Sequence, residues 1–480
     1  MVGCVDGSVS DCVFNQIDVG VYVVSGEELS VRNNRHTGGG RFFFYQEAIG
    51  GSLTNSTIEG NNVDGLADPS SGPFSGGGNV IGVSIGGTST ASGIRIVNNQ
   101  FSGIGPSSGG SVNGAIMLIS TTPTQITDCV ISGNQISFVN SGSTGQAYGI
   151  RIFGSSNANQ LKRIQVVNNN VLSTGLNALS GSGIQLKSVI WVACSGNNIV
   201  NTGQNIASSV FAGIDMQDVS DGTILGNTVS IVTSAVNPNA AGITLHQQGN
   251  NVVIGSNTVD AASTNIDHIN VMQTNADAAS IINVEVVNNV CGTSLSPGCV
   301  VGIRCNPSST PGSTSWKIAN NIIRGFNSFG IELLDAAGVG VTDFAISGND
   351  IKGNSAGVIG IEVINVNRFR IQGNSVYLTD ATADGKHALD LSGSGLGIIS
   401  GNSFWVDTVA AATAIVNQNG GTGNNLYVGN YVECISVATA KAIVVAAASA
   451  YADGNYVLNF SIGNQYVGTT NTGNVGQNWA

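Results

Sequence analysis

Fourteen times between Asn61 and Asn464 the chain repeats one pattern: an apolar residue, two small or polar residues, an asparagine, and a second apolar residue two positions on. Copies read Ile131-Ser132-Gly133-Asn134-Gln135-Ile136 and Ile346-Ser347-Gly348-Asn349-Asp350-Ile351, and the last three asparagines are Asn402, Asn430 and Asn464. The mean interval is about 31 residues, within the range of stacked repeat architectures. Twelve copies carry Ile, Val or Cys three residues before the asparagine, among them Ile96, Val166, Cys194 and Ile371. Two residues after it stand Val63, Phe101, Val171, Ile199 and their equivalents. Period-two geometry puts both apolar positions on one face of short strands. No segment shows a helical period. The asparagine suits a left-handed corner between two strands, and successive asparagines can stack into an amide ladder.

A second phrase precedes the asparagine by roughly 15 to 20 residues. It reads Gly149-Ile150-Arg151-Ile152, Gly213-Ile214-Asp215-Met216, Gly330-Ile331-Glu332-Leu333 and Gly360-Ile361-Glu362-Val363. Each repeat thus predicts strands on different faces of one coil. Strands of neighbouring coils would pair in parallel at about 4.8 Å.

The repeat also changes what length implies. A chain of 480 residues would ordinarily suggest several domains, but stacked repeats share one continuous core. The expectation is a single domain over residues 1–468 and a polar tail over 469–480. Charged residues are only 9% of the chain, so Asn, Ser, Thr and Gly must keep the surface wet. A net charge of −12 without a basic stripe argues against nucleic acid. No leader pattern follows Met1, and the text opens in repeat-like sequence, so an N-terminal portion is expected to lie elsewhere. The most apolar stretch, 441–452, is too short to span a bilayer. Of the eight cysteines, Cys194 and Cys291 occupy apolar slots and read as buried thiols. Cys291 and Cys299 bracket a short loop and either stay free or bridge it. No CxxC or His-rich cluster supports zinc.

With its Asn corners, Gly-Ile strands and an aromatic run at Trp316, Phe344 and Phe369, the chain resembles the pectin-lyase-like superfamily over residues 10–466. That resemblance implies an all-β, right-handed parallel β-helix solenoid of roughly 14–16 coils, with the aromatic run as an internal stack. The superfamily holds pectate lyases, polygalacturonases, uronan epimerases, bacteriophage tailspikes and adhesins. The polygalacturonase set (Asn-Thr-Asp, Asp-Asp, Gly-His-Gly, Arg-Ile-Lys) and the epimerase Asp-Pro-His signature are absent. What remains is most similar to the tailspike group. The resemblance implies a homotrimer, a virion-tail or extracellular location and a bacterial surface polysaccharide as partner. A non-catalytic structural or adhesive β-helix, and a secreted lyase or epimerase, stand as alternatives.

Chemistry should sit at the outward positions of the Gly-Ile phrase. Running up the coils these include Arg151, Gln185, Asp215, Thr244, Asn270, Arg304, Glu332, Glu362 and Asp390. The next outward positions include Phe153, Lys187, Gln217 and His246. Glu332, Glu362 and Asp390 occupy successive coils, so neighbouring carboxylates would lie about 5 Å apart. That suits a pair of glycosidase carboxylates, and mutual repulsion raises one of them toward a general acid. In this reading Glu332 or Glu362 is the acid, its neighbour the base or nucleophile, and Arg304 positions an acidic sugar. The alternative is a solvated charge ladder with Arg304 neutralising Glu332. Asp215 with His246 is a second catalytic candidate. Asp215, Asp218 and Asp221 suit either Ca²⁺ or a capped turn, and no cofactor is expected. Arg151, Lys187 and Gln217 are candidate glycan contacts. Phe153 and Trp191, with Trp405 and Tyr377 behind them, offer faces for stacking on sugar rings. His387, at the end of the loop from Asp380, is a further contact. Long insertions after the corner (66–79, 102–113, 137–147, 172–182 and 200–212) are expected to line one side of the first half.

Overall fold

The computed structural model describes residues 4–46, 50–67, 79–105, 112–121, 126–140, 145–155, 161–175, 178, 180–204, 210–234, 241–261, 266–273, 281–292, 299–307, 314–335, 342–353, 358–381, 387–408, 414–419, 425–434, 441–445, 450–459 and 466–468. The chain divides into two compact units, Met1–Leu245 and His246–Ala480. Every described element is a strand.

In the first unit the strands that follow the asparagine corner are Val13–Asn15, Arg35–Thr37, Asn62–Asp64, Gln100–Ile104, Gln135–Val139, Asn170–Thr174, Asn198–Gln204 and Thr228–Ser234. Each pairs in parallel with its equivalent one coil on. The pairing aligns His36, Val63, Phe101, Ile136, Val171, Ile199 and Val229 in one buried column. The Gly-Ile strands stack likewise, with Ile116, Ile150, Ile184 and Ile214 in register. The second unit repeats this plan. Its corner strands align Val259, Cys291, Ile323, Ile351, Val376, Phe404, Val432 and Val457. Its Gly-Ile strands align Ile303, Ile331, Ile361, Leu389, Val416 and Ile443. Each unit is therefore a parallel β-helix, right-handed as parallel crossovers are. The eight corner strands described in each fit the 14–16 coils expected.

The asparagines form the ladder that the repeat suggested, and it is longer. In the first unit Asn34, Asn61, Asn99, Asn134, Asn169, Asn197 and Asn227 are joined by side-chain amide bonds of 2.9–3.0 Å. In the second, Asn257, Asn289, Asn321, Asn349, Asn374, Asn402, Asn430 and Asn455 repeat the arrangement. Each Oδ1 also receives the backbone N–H of the preceding asparagine, as from Asn134 to Asn169 at 3.1 Å. Each Nδ2 also donates to a backbone carbonyl, as from Asn169 to Ile131 at 3.0 Å. Two rungs had escaped the sequence pattern. Asn34 has His36 in the second apolar slot, where burial lowers the imidazole pKa. Asn455 has only Ala452 in the first slot and is the rung after Asn430; Asn464 lies outside the described residues.

The left-handed corner belongs to the residue before the asparagine, not to the asparagine itself. Gly133, Asn168, Asn288 and Gly348 have φ of 67°, 55°, 58° and 65°. A glycine or asparagine tolerates that conformation. At Gly348 a Cβ would also stand 2.4 Å from the Asn320 Oδ1. The ladder asparagine is thereby left free to turn its amide along the stack.

The aromatic run is internal as implied. Trp316, Phe344 and Phe369 align in three consecutive coils and are 2% exposed. The Trp316 and Phe344 ring centroids are 5.1 Å apart, and the indole N–H donates to the Ile281 carbonyl at 2.9 Å. All eight cysteines are free, so Cys291 and Cys299 are buried thiols rather than a bridge. The tail 469–480 and about half of the insertion residues lie outside the described residues.

The ladder makes a contrast within one corner. Asn169→Ala strands two buried donors of Asn134, each worth about 1–3 kcal/mol. The adjacent Asn170 bonds the Gln135 side chain at an exposed position, so Asn170→Ala should cost only a few tenths of that. Thermal unfolding of the two variants measures the difference, and equal losses would contradict a ladder-based corner.

Candidate functional site

The second unit gathers its outward charges in one column. Register places Asn270, Arg304, Glu332, Glu362, Asp390 and Asn417 side by side on successive coils. They are carried by the strands Asp267–Gln273, Cys299–Pro307, Phe326–Leu334, Ile359–Ile364, His387–Ser392 and Ala414–Asn419. The glycine before the isoleucine has a packing reason. A Cβ at Gly330 would fall 2.5 Å from the Ile351 methyl, and one at Gly360 would fall 2.3 Å from Val376.

At the lower end of the column the charges are paired and covered. The Arg304 Nη1 lies 3.2 Å from the Glu332 carboxylate, and its Nε lies 2.8 Å from the Asp267 carboxylate. The latter is an ion-pair contact without hydrogen-bond alignment. Asp267 also accepts from the Val301 N–H at 3.2 Å and from the Asn270 amide at 3.0 Å. Arg304 is thus held between two carboxylates with its side chain 18% exposed. Burial raises the Glu332 carboxyl, against the pull of Arg304. It pushes Asp267 up to about 7, again opposed by the guanidinium. The outward column is also less solvated than alternation implied: Asn270 is 0% and Glu332 6% exposed.

Above this pair the column changes character. Glu362 is half-buried and has no cation in the adjacent register positions, which are Glu332 and Asp390. Burial, then the Glu332 and Asp390 charges, push its carboxyl up to about 7, with Arg304 acting weakly the other way. The Asp390 Oδ1 accepts from the Asn417 amide at 2.9 Å. One half-buried acid therefore stands one strand spacing, about 4.8 Å, from a second, hydrogen-bonded carboxyl group. A carboxyl raised to about 7 beside a second carboxyl is an arrangement that can give and take a proton.

Asp267 and Asn417 were not read from the sequence. Asp267 starts a strand in which His268 stands where the phrase has glycine, and Asn417 lies in Ile415-Val416-Asn417-Gln418, which also lacks it. Spacing to the next ladder asparagine points to Asn417, which precedes Asn430 much as Asp390 precedes Asn402, but not to Asp267, which lies three residues before the column position Asn270. His387 lies on the same strand as Asp390 but aligns with Ile359, three residues from the carboxylate column.

The first unit carries a different column. The Arg151 Nε donates to Gln185 at 2.9 Å, and the Gln185 amide donates to Asp215 at 2.9 Å. The guanidinium sits 4.2 Å from the Phe153 ring centroid and 4.5 Å from that of Tyr148, with the Lys187 ammonium 5.1 Å from Phe153. Phe153 thus lies against two cations, while Gln217 continues the Phe153–Lys187 column, half-buried. Asp215 accepts from Gln185 in the first unit, and His246 opens the second, half-buried. Asp218 and Asp221 are left-handed corner residues. Among the described residues no three His, Cys, Asp or Glu side chains form a metal-holding group. Trp191 is 52% exposed at a left-handed corner, φ 56°. It borders a depression of about 450 Å³ with Asp128, Arg163 and Asp221. Arg163 holds Asp128 through bonds of 2.5 and 2.7 Å and depresses its carboxyl to about 2.

No family model and no curated protein matches the chain. Solved structures do. A tailspike protein mutant of the E. coli bacteriophage HK620, in complex with a hexasaccharide, is 12% identical; the match covers 87% of this chain and 71% of that one, with a TM-score of 0.42. The A-module of an Azotobacter vinelandii mannuronan C-5 epimerase is 12% identical, covering 85% and 91%, with a TM-score of 0.38. The Dettilon tailspike protein is 14% identical, covering 75% of this chain, with a TM-score of 0.36, and the match spans 61% of that tailspike's length.

Proposed function

We propose that this chain is a polysaccharide-engaging β-helix that hydrolyses a bacterial surface glycan, working as the body of a trimeric virion tailspike. The observation that carries the hydrolytic reading is Glu362: a half-buried carboxyl raised to about 7 and flanked by two others. Protonated near neutrality, it can deliver a proton to the glycosidic oxygen as that bond breaks. Asp390, oriented by the Asn417 amide, attacks the anomeric carbon or activates a water that does. A separation of one strand spacing favours direct attack, because retaining glycosidases hold their carboxyls about 5–5.5 Å apart. The Asp267–Arg304–Glu332 network acts below the reacting groups. It anchors Glu332 next to Glu362 and helps to keep that proton in place.

A binding-only reading is favoured by one feature, the complete pairing of Arg304. Reducing-end assays on purified host capsule and lipopolysaccharide separate the two. Glu362→Gln and Asp390→Asn should each lower turnover about 100- to 10,000-fold without loss of fold. Unchanged cleavage by either variant would reject the assignment, as would an unsaturated-uronate absorbance, which signals elimination. The trimer is checked by molecular mass in solution.

The raised carboxyl also has a consequence for stability. Its folded pKa of about 7 exceeds the ordinary 4.5, so the folded protein holds this proton more tightly than the unfolded chain. The resulting stabilisation is full below about pH 4.5 and is lost as pH rises through about 7. Asp267 acts in the same sense. Glu362→Gln should therefore flatten the fall in apparent Tm between those limits and exceed the parent protein above them. A profile parallel to the parent's would contradict the burial of this group.

A further inference from the structure

The corner-strand sheet of the second unit carries outward side chains that the carboxylate column does not use. On the strands Asp350–Gly353, Ser375–Ala381, Ser403–Thr408 and Tyr431–Cys434, register aligns Lys352, Tyr377, Trp405 and Glu433. The inward neighbours Ile351, Val376, Phe404 and Val432 are core, so alternation turns this column away from the core. A second column beside it brings Ser375, Ser403, Tyr431 and Tyr456 into line. The Trp405 and Tyr431 ring centroids are 5.6 Å apart, and Tyr431 stacks on Tyr456 at 5.4 Å and 19°. The Tyr431 hydroxyl donates to the Glu433 carboxylate at 2.6 Å, which fixes the ring.

Trp405 and Tyr377 are half-buried, and both border a concavity. A depression of about 540 Å³ is lined by Lys352, Gly353, Ser375, Tyr377, Thr379 and Trp405. That is the size of a small-ligand site. Its lining holds the Trp405 and Tyr377 rings, the Ser375 and Thr379 side chains and the Lys352 side chain. Flat apolar rings with hydroxyl and cationic neighbours match a pyranose, which offers an axial C–H face and an equatorial fringe of polar groups. Among the described residues Lys352 has no carboxylate within ion-pair distance, whereas nearby Asp350 is engaged by Arg324. Among the described residues, then, no carboxylate neutralises this ammonium.

We infer that this trough is a second saccharide-binding site, separate from the carboxylate column, that stacks a uronic-acid or other acidic sugar ring on Trp405 and Tyr377 and pairs its carboxylate with Lys352. It rests on the reading that the chain engages a glycan but not on the reading that it cleaves one. By holding the polymer outside the hydrolytic column, it would raise retention rather than turnover.

The test is binding of the full chain to an array of acidic and neutral bacterial oligosaccharides, alongside reducing-end release from a short cleavable fragment. Trp405→Ala should weaken binding of acidic glycans at least tenfold, and Trp405→Phe should restore part of it. Lys352→Gln should weaken acidic glycans alone. Glu362→Gln should leave binding intact, and Trp405→Ala should leave short-fragment cleavage intact. An array without bound acidic sugars would overturn the inference, as would Trp405→Ala binding like the parent. A change of oligomeric state in Trp405→Ala would also overturn it, because the trough would then be covered by a second copy. Loss of cleavage in Glu362→Gln with trough binding absent from the parent separates failure here from failure of the hydrolytic reading.

Discussion

A buried side-chain amide has four hydrogen-bonding needs, and in each unit the ladder asparagines meet them only when coils are stacked in register. Asn169 accepts from the backbone and side chain of Asn134 and donates to Asn197 and the Ile131 carbonyl. A slip of one residue between coils would strand these groups in the core and turn every apolar side chain outward. The ladder is therefore a register lock. Hydrophobic burial supplies the driving force, but Ile and Val columns tolerate sliding that the amides do not. Because the lock repeats at every coil, equivalent outward positions are held side by side over long stretches. The carboxylate column is a product of that lock.

How much of this could be read from the chain follows from how local each signal is. Strands, corners and inward apolar columns were legible because each is set by residues within three positions of an asparagine. Asn34 and Asn455 were missed where His36 or Ala452 filled an apolar slot, since a buried imidazole or a methyl group does not announce itself as core. The left-handed corner was placed one residue too late, because asparagine favours that conformation and the glycine before it was read as a small residue only. The alignment of Arg304, Glu332, Glu362 and Asp390 was legible from repeat spacing. Their solvation was not. Asp267, which takes up one side of Arg304, sits where the Gly-Ile phrase breaks down, and covering of the column depends on contacts distant in sequence.

The two units use the same scaffold with different outward chemistry. In the first, Arg151, Gln185 and Asp215 are joined by hydrogen bonds, and two cations lie against Phe153. In the second, one guanidinium serves two buried carboxylates and leaves two more above it without a neighbouring cation in the column. Coulomb repulsion at one strand spacing is modest in water but grows several-fold at the effective dielectric near a protein surface. The like charges therefore matter only because Glu362 is also half-buried. Here burial is the first cause of the raised carboxyl and repulsion the second.

That ordering bears on how such a fold acquires chemistry. A solenoid cannot easily close a pocket around one acid, because every coil is open on its outer side. It can place acids at fixed pitch, one substitution per coil, and let partial burial and mutual repulsion hold a proton on the central member. Arg304 sets the limit of the device. Directly beside Glu362, a guanidinium would stabilise the ionised form and remove the acid. Placed two coils away and occupied by Asp267 and Glu332, it pulls only weakly on Glu362 while it keeps the lower carboxylates together. The position of one cation along the stack thus separates a structural ion pair from a proton-bearing group on the same face.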